Sequence, residues 1–100
     1  MKKETVFLRE FSELEHLQRS HALRYGLTVD ENAPRPFGIF IERLDRLRAV
    51  EDARVMRQMD EARERVLLLL RYLYENAVEP HCARDVLHDI GAAPFGEGCG

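Results

Sequence analysis

A nearly unbroken apolar run at residues 66–74 constrains the fold of this chain more than any other feature of its sequence. The run reads Val-Leu-Leu-Leu-Leu-Arg-Tyr-Leu-Tyr and lies in a long stretch without glycine or proline. A helix that packs against a single core needs only one apolar stripe, with polar residues on its opposite side. If residues 66–74 are helical, their side chains must therefore be covered from more than one direction.

The size of the chain limits how much of that cover it can supply itself. The sequence has 100 residues, a length typical of one domain. Its composition, 45% hydrophobic and 33% charged, is that of a folded chain and not of a disordered one. Domains of this size bury a modest fraction of their surface and are only marginally stable. Association with a second copy or with a partner is therefore favoured.

Helical periodicity across most of the chain predicts an all-α fold. Residues 4–25 place their apolar side chains on one helical face, and Gly26 is suited to end such a helix. A loop follows at residues 28–38, which contain two prolines and a glycine. Beyond the loop the helical spacing of apolar residues resumes. We therefore predict one helix at residues 4–25 and a second, long helix at residues 39–78.

The middle of the long predicted helix allows two interpretations, a continuous helix or a helical hairpin. A polar segment at residues 49–53 separates two apolar stripes, so that a turn there would divide the helix into a hairpin. No glycine or proline marks such a turn, and oppositely charged residues recur four positions apart, as do Arg71 and Glu75. We favour one continuous or kinked helix over the hairpin.

The C-terminal part of the chain predicts one more short helix. Pro80 fits a first helical position and Gly91 is placed to end the helix, which gives a helix at residues 80–90. Residues 92–100 are rich in glycine and are predicted to be a flexible tail. The predicted architecture is a small helical bundle in a single domain over residues 1–91, completed by dimerisation.

The charge pattern disfavours nucleic acid as a partner without excluding it. The formal net charge is −3, from 18 acidic and 15 basic side chains, whereas nucleic-acid binders usually carry a clustered basic excess. Acidic residues are interleaved with arginines along one flank of the long predicted helix, as in a solvated, ion-paired helix. A transcriptional regulator that contacts nucleic acid through this flank is the alternative function. The flank comprises Arg43, Arg46, Arg54, Arg57 and Arg65.

Histidine and cysteine residues near the C-terminus raise the question of a metal site. His81, Cys82, His88 and Cys99 are close in sequence, but no Cys-x-x-Cys pair is present. Adjacent residues diverge on a helix, so His81 and Cys82 do not form a nucleophilic pair. We predict no enzyme activity, no cofactor and no metal. A small metal-binding helical protein or enzyme is the second alternative.

The lengths of the apolar segments indicate where in the cell the protein is located. The longest continuous run, residues 66–70, is far shorter than the roughly 20 residues of a membrane span. The first ten residues lack the apolar stretch of a signal peptide. We therefore expect a soluble, cytoplasmic protein with reduced cysteines and no membrane partner.

Apolar residues beside the main stripe of the long helix predict a protein interface. Several of them lie roughly 100° or more from that stripe, so one core cannot bury them all. Tyrosine, arginine and methionine are also the residue types enriched at interfaces. The predicted function is a small non-enzymatic regulator or adaptor, such as an inhibitor, antiactivator, chaperone or phage-type inhibitor of host machinery, acting as a homodimer. The predicted interface comprises Met56, Met59, Leu67, Leu68, Arg71, Tyr72 and Tyr74.

Overall fold

An antiparallel sheet, and not a helical bundle, dominates the fold. The structure is a computed structural model and describes residues 1–11 and 21–91. Each strand pairs antiparallel with its neighbour in sequence, so that the order in the sheet is that of the chain. The strands are β1 (Lys2–Phe11), β2 (His21–Val29), β3 (Phe37–Asp45) and β4 (Val50–Asp60). They are followed by helix α1 (Arg63–Glu75), a 3₁₀ turn (Pro80–Cys82) and helix α2 (Ala83–Asp89).

The all-α prediction is therefore wrong, and the helical bundle with it. The described part of the predicted helix 4–25 is strand, belonging to β1 and β2. Within the predicted helix 39–78, residues 63–75 are helical, whereas the residues before them form β3, β4 and their connecting turn. The predicted tail, residues 92–100, lies outside the described residues, as do residues 12–20.

Strand β2 forms because its apolar residues occur at period two. From residue 23 to residue 29 the residues Leu, Tyr, Leu and Val occupy every second position. Successive side chains of a strand point to opposite faces of the sheet, so this alternation places all four on one face. Aromatic and branched side chains also suit a pleated, half-buried surface. Leu23, Tyr25 and Leu27 are accordingly buried on one side of the sheet.

The turn between β3 and β4 is built without glycine. Arg48 adopts a left-handed conformation, with φ at 67°. The carboxylate of Asp45 stabilises the turn, since its Oδ1 accepts the backbone N–H of Leu47 at 2.8 Å and that of Ala49 at 2.9 Å. Aspartate commonly holds turns in this way. The local hydrogen bonds compensate for a backbone conformation that glycine would adopt more easily.

The helices cover one face of the sheet and form the main core there. Helix α1 contributes Val66, Leu70 and Leu73, whose spacing of three and four residues makes one buried stripe. The Tyr25 hydroxyl is buried in this core and donates a hydrogen bond to the Val78 carbonyl oxygen at 3.0 Å, and burial raises the pKa of that hydroxyl. The cluster also contains Leu23, Leu27, Ile39, Ile41, Met56, Met59, Ala83 and Leu87.

The junction between β4 and α1 is fixed by Asp60. Its Oδ1 accepts the backbone N–H of Ala62 at 2.7 Å, and its Oδ2 accepts Nε of Arg65 at 2.9 Å. The Arg65 guanidinium, together with the Ala62 N–H, lowers the pKa of Asp60 to about 2. This short connection turns the chain from the edge of the sheet onto its helix-covered face.

Candidate functional site

The second face of the sheet forms a candidate binding surface, because both described helices pack against the other face. We call it the open face. Its residues follow from the register of the strands, which places them in rows across the sheet. The rows are Lys3, Thr28 and Gly38; Thr5, Gly26, Phe40 and Val55; Leu8, Arg24, Glu42 and Ala53; and Glu10, Ala22, Leu44 and Val50.

Phe40 is buried on the open face, where it packs against the neighbouring strand. It lies directly opposite Gly26 on the neighbouring strand, and a Cβ atom at Gly26 would collide with the Phe40 ring. The ring therefore occupies the space above the glycine, as aromatic residues do where they cover a glycine in a sheet. The ammonium group of Lys3 lies over the ring, 5.1 Å from its centroid. As a result only 2% of Phe40 is exposed.

Ionic contacts occupy the centre of the open face. Arg24 and Glu42 are opposite each other on β2 and β3, and Arg24 Nε donates to Glu42 Oε1 at 2.8 Å. Lys3 Nζ lies 3.6 Å from Glu42 Oε2. Glu42 is buried despite its charge, so its carboxylate depends on these two cations. The centre of the open face thus holds one carboxylate between two positive groups.

Apolar side chains flank this ionic centre. Leu8 on β1 is 46% exposed, and Val55 and Val50 on β4 are 40% and 51% exposed. Ala22 and Leu44, which pair across β2 and β3, are buried. The solvated face of an antiparallel sheet is usually polar. Here it combines apolar flanks with a paired, partly desolvated centre, which is the composition of an interface more than of a solvated surface.

The outer side of α1 carries part of the interface predicted from the sequence. Leu68 is 66% exposed and Tyr72 is 40% exposed, and they lie four residues apart. Arg71 is exposed beside them, with its Nε 3.3 Å from Glu75 Oε2. Leu67 is half-buried and packs against the core. This surface has two large exposed apolar side chains, Leu68 and Tyr72.

The remaining predicted interface residues serve the core. Met56 and Met59 are buried in the cluster under the helices. Tyr74 is partly buried, where its ring stacks on Phe7 with centroids 4.7 Å apart and meets Tyr25 edge-on at 6.0 Å. The structure therefore does not bring the seven predicted residues together on one surface.

The arginine flank predicted for nucleic acid is dispersed, because the long helix that was to carry it does not exist. Arg43 Nη1 lies 2.6 Å from Glu79 Oε1, and Arg54 Nη1 lies 2.7 Å from Asp52 Oδ1. Arg57 pairs with Asp30, Arg65 with Asp60, and Arg46 lies in the turn after β3. The idea of one shared basic flank is therefore wrong.

A small cleft lies between β4, the 3₁₀ turn and α2. Its volume is 290 Å³, and His81 at its rim has Nδ1 3.6 Å from Asp52 Oδ2. In the described parts of the chain, no three or more His, Cys, Asp or Glu side chains are grouped so that they could hold a metal ion. Cys82 is a half-buried free thiol, His88 is exposed on α2, and Cys99 lies outside the described residues. The lining residues are Arg54, Val55, Met56, Pro80, His81, Arg84 and Asp85.

Sequence reasoning missed every residue of the open face. The signal that was present is the strict alternation in β2, which separates Leu23, Tyr25 and Leu27 from Arg24 and Gly26.

No protein-family model, curated protein or solved structure matches the chain. Neither helix within residues 21–91 has the length and apolarity to cross a membrane. The function must therefore be argued from the surface itself.

Proposed function

We propose that this protein is a small non-enzymatic regulator or adaptor that binds a protein partner through the open face of its sheet. The observation that carries the proposal is the exposure of Leu8, Val50 and Val55 around a buried aromatic ring, on a face that neither described helix covers. Apolar surface of this kind marks interaction sites in folded proteins. The face is an extended sheet surface, which suits a protein partner, whereas small molecules bind in concave pockets.

The dimensions of the open face are sufficient for a specific interface. Its two central strands have nine residues each, and it is four strands wide. From the standard spacing of residues and strands, it measures about 30 Å by about 19 Å, or on the order of 600 Å². Two such surfaces together reach about 1,200 Å², the lower end of the range for specific complexes. We therefore propose a reversible interaction of moderate strength.

The partner is proposed to present an apolar surface with charged groups near its centre. Such a surface would cover the valines and leucine of the open face and meet Arg24 and Glu42 with complementary charges. We further propose that the protein acts in the cytoplasm, where its cysteines would be reduced.

Site-specific photocrosslinking tests the proposal. Photoreactive benzoylphenylalanine replaces Val55 on the open face or Leu68 on α1, and each variant is irradiated in the cells that produce the protein. We expect a protein adduct from position 55 and none from position 68, because the first position faces the partner. Adducts from position 68 alone, or no protein adduct from position 55, would contradict the proposal.

A further inference from the structure

The open face is complementary to itself, and we infer that its occupant is a second copy of this chain, packed face to face. This inference rests on the proposed function, since it names the partner of the same surface. Most soluble oligomers are symmetric homo-oligomers, and a two-fold interface uses the same patch on both copies. The question is therefore whether a two-fold axis exists that matches the charges and the apolar side chains of this patch.

The central charges select the direction of that axis. Consider a two-fold axis that lies between the two stacked sheets, runs parallel to the strands and passes over the gap between β2 and β3. This axis places β2 of one copy over β3 of the other. Arg24 of each copy then faces Glu42 of the other copy, because the two residues share a row of the sheet. An axis across the strands would instead place Arg24 against Arg24. The first arrangement gives each buried carboxylate a second guanidinium, and the second leaves like charges in contact.

The same axis also matches the flanks of the open face. It places the edge strand β1 of one copy over the edge strand β4 of the other. The exposed side chain of Leu8 then faces Ala53, and that of Val55 faces Thr5, since each pair shares a row. A large side chain thus meets a smaller one on both flanks, which allows two twisted sheets to pack about 10 Å apart. Both helices of each copy lie on the outside of the dimer.

Sedimentation equilibrium of the full chain, from about 1 µM to about 200 µM, measures this association directly. We expect a reversible monomer–dimer equilibrium for the wild type. Val55→Lys should raise the dissociation constant at least about tenfold, because it buries an unpaired charge in the interface. Leu68→Glu is the matched control, since it changes an exposed apolar residue to a charge on the outer side of α1 and should leave the constant unchanged. Circular dichroism verifies that both variants are folded.

A charge-exchange experiment tests whether the central charges of the two copies meet in the interface. Arg24→Glu and Glu42→Arg should each weaken self-association, because each variant places like charges opposite one another in the dimer. An equimolar mixture of the two variants should form heterodimers with an affinity near that of the wild type. In the heterodimer the introduced glutamate of one copy faces the introduced arginine of the other, and the unchanged Glu42 of the first copy faces the unchanged Arg24 of the second. Every carboxylate at the centre then has a guanidinium opposite it across the axis.

Three results would overturn the inference. A wild type that stays monomeric to about 200 µM would exclude a second copy as the occupant, and photocrosslinks from position 55 to a different protein would then leave the proposed function intact. Dissociation by Leu68→Glu but not by Val55→Lys would move the dimer interface to α1. Failure of the mixed charge variants to associate, with both variants folded, would exclude the axis between β2 and β3.

Discussion

The two faces of the sheet bury their apolar residues by different means. On the helix-covered face, Leu23, Tyr25 and Leu27 are enclosed by side chains from α1 and α2, and the hydroxyl of Tyr25 finds a backbone partner. On the open face, Phe40 is enclosed by a glycine on the next strand and by a lysine side chain. Helices cover the first face, whereas neither described helix covers the second. We therefore expect the first to determine stability and the second to determine association.

The largest difference should appear when one leucine is truncated on each side of α1. Leu70→Ala removes a fully buried side chain under the helix and should lower the free energy of unfolding by about 2–5 kcal/mol. Leu68→Ala, two residues earlier on the exposed side, should change it by less than about 0.5 kcal/mol. Urea unfolding followed by circular dichroism measures both values. Equal losses for the two variants would show that the outer side of α1 is also covered.

The second-largest effect tests how the open face buries its aromatic residue. Gly26→Ala inserts a methyl group where the Phe40 ring and the backbone oxygen of Glu4 already lie, and should cost about 1–3 kcal/mol. Phe40→Leu alone and the double variant complete a mutant cycle, in which the costs should not add because the two side chains share one space. Additive free energies of unfolding would mean that the ring does not cover the glycine.

A smaller effect on the free energy of unfolding should depend on pH, and it arises on the helix-covered side of the sheet. The folded-state pKa of Asp60 is about 2, below the usual value of about 3.9. The stabilisation that the ionised Asp60 contributes to the free energy of unfolding is therefore fully present above that usual value and is lost as pH falls toward 2. Asp60→Asn should therefore be less stable than the wild type at pH 6, with the gap narrowing as pH falls. Urea midpoints at pH 6, 4, 3 and 2 measure the gap, and Asp89→Asn at the end of α2 is the control. A gap that is constant with pH would contradict the role assigned to Asp60.

The smallest effect concerns a hydroxyl on the open face. Thr28 is fully buried, and within the described residues its Oγ1 has no hydrogen-bond partner. Thr28→Val keeps the shape of the side chain and removes the unsatisfied group, so the free energy of unfolding should be unchanged or higher by up to about 1 kcal/mol. Thr5→Val, at an exposed position on the same face, is the comparison. A clear loss of stability for Thr28→Val alone would indicate a partner for this hydroxyl.

The apolar stripe of α1 was visible in the sequence, whereas the strands before it were not. Val66, Leu70 and Leu73 recur at helical spacing, and this stripe is buried in the structure. Strand β3 is apolar on both faces, as Ile39, Phe40 and Ile41 show, so that period two is hidden in a continuous run. Such a run does not distinguish a strand from a helix.

The boundaries of the strands and helices could not be predicted from the sequence for a different reason. The chain leaves its regular structure at Arg48 and Ala77 and is irregular within β4 at Gln58, and each of these residues has a positive φ without being glycine. The long predicted helix rested on the absence of glycine and proline from this stretch. Left-handed conformations cost little enough at single residues that local hydrogen bonds, such as those of Asp45, can hold them. The absence of glycine was therefore weak evidence for a continuous helix.

The candidate site could not be predicted because its contacts are non-local. Charges four residues apart suggested helical ion pairs, and those of Arg71 and Glu75 form as expected. Glu42 and Arg57, by contrast, pair with residues on or beside β2 that are distant in sequence. The register of all four strands brings the residues of the open face together. A sequence that is interpreted as helical predicts no strand register, so it does not place these residues on one surface.

Methyl NMR of the full chain across a dilution series tests the central claim most directly, namely that the open face and not the helix surface is where the protein associates. Spectra are recorded with labelled leucine and valine methyl groups from about 10 µM to about 500 µM. We expect the methyl signals of Leu8, Val50 and Val55 to shift with concentration, and those of Leu68 to stay constant. Concentration-dependent shifts at Leu68 with constant signals from the open face, or no shift at any methyl group, would contradict the account.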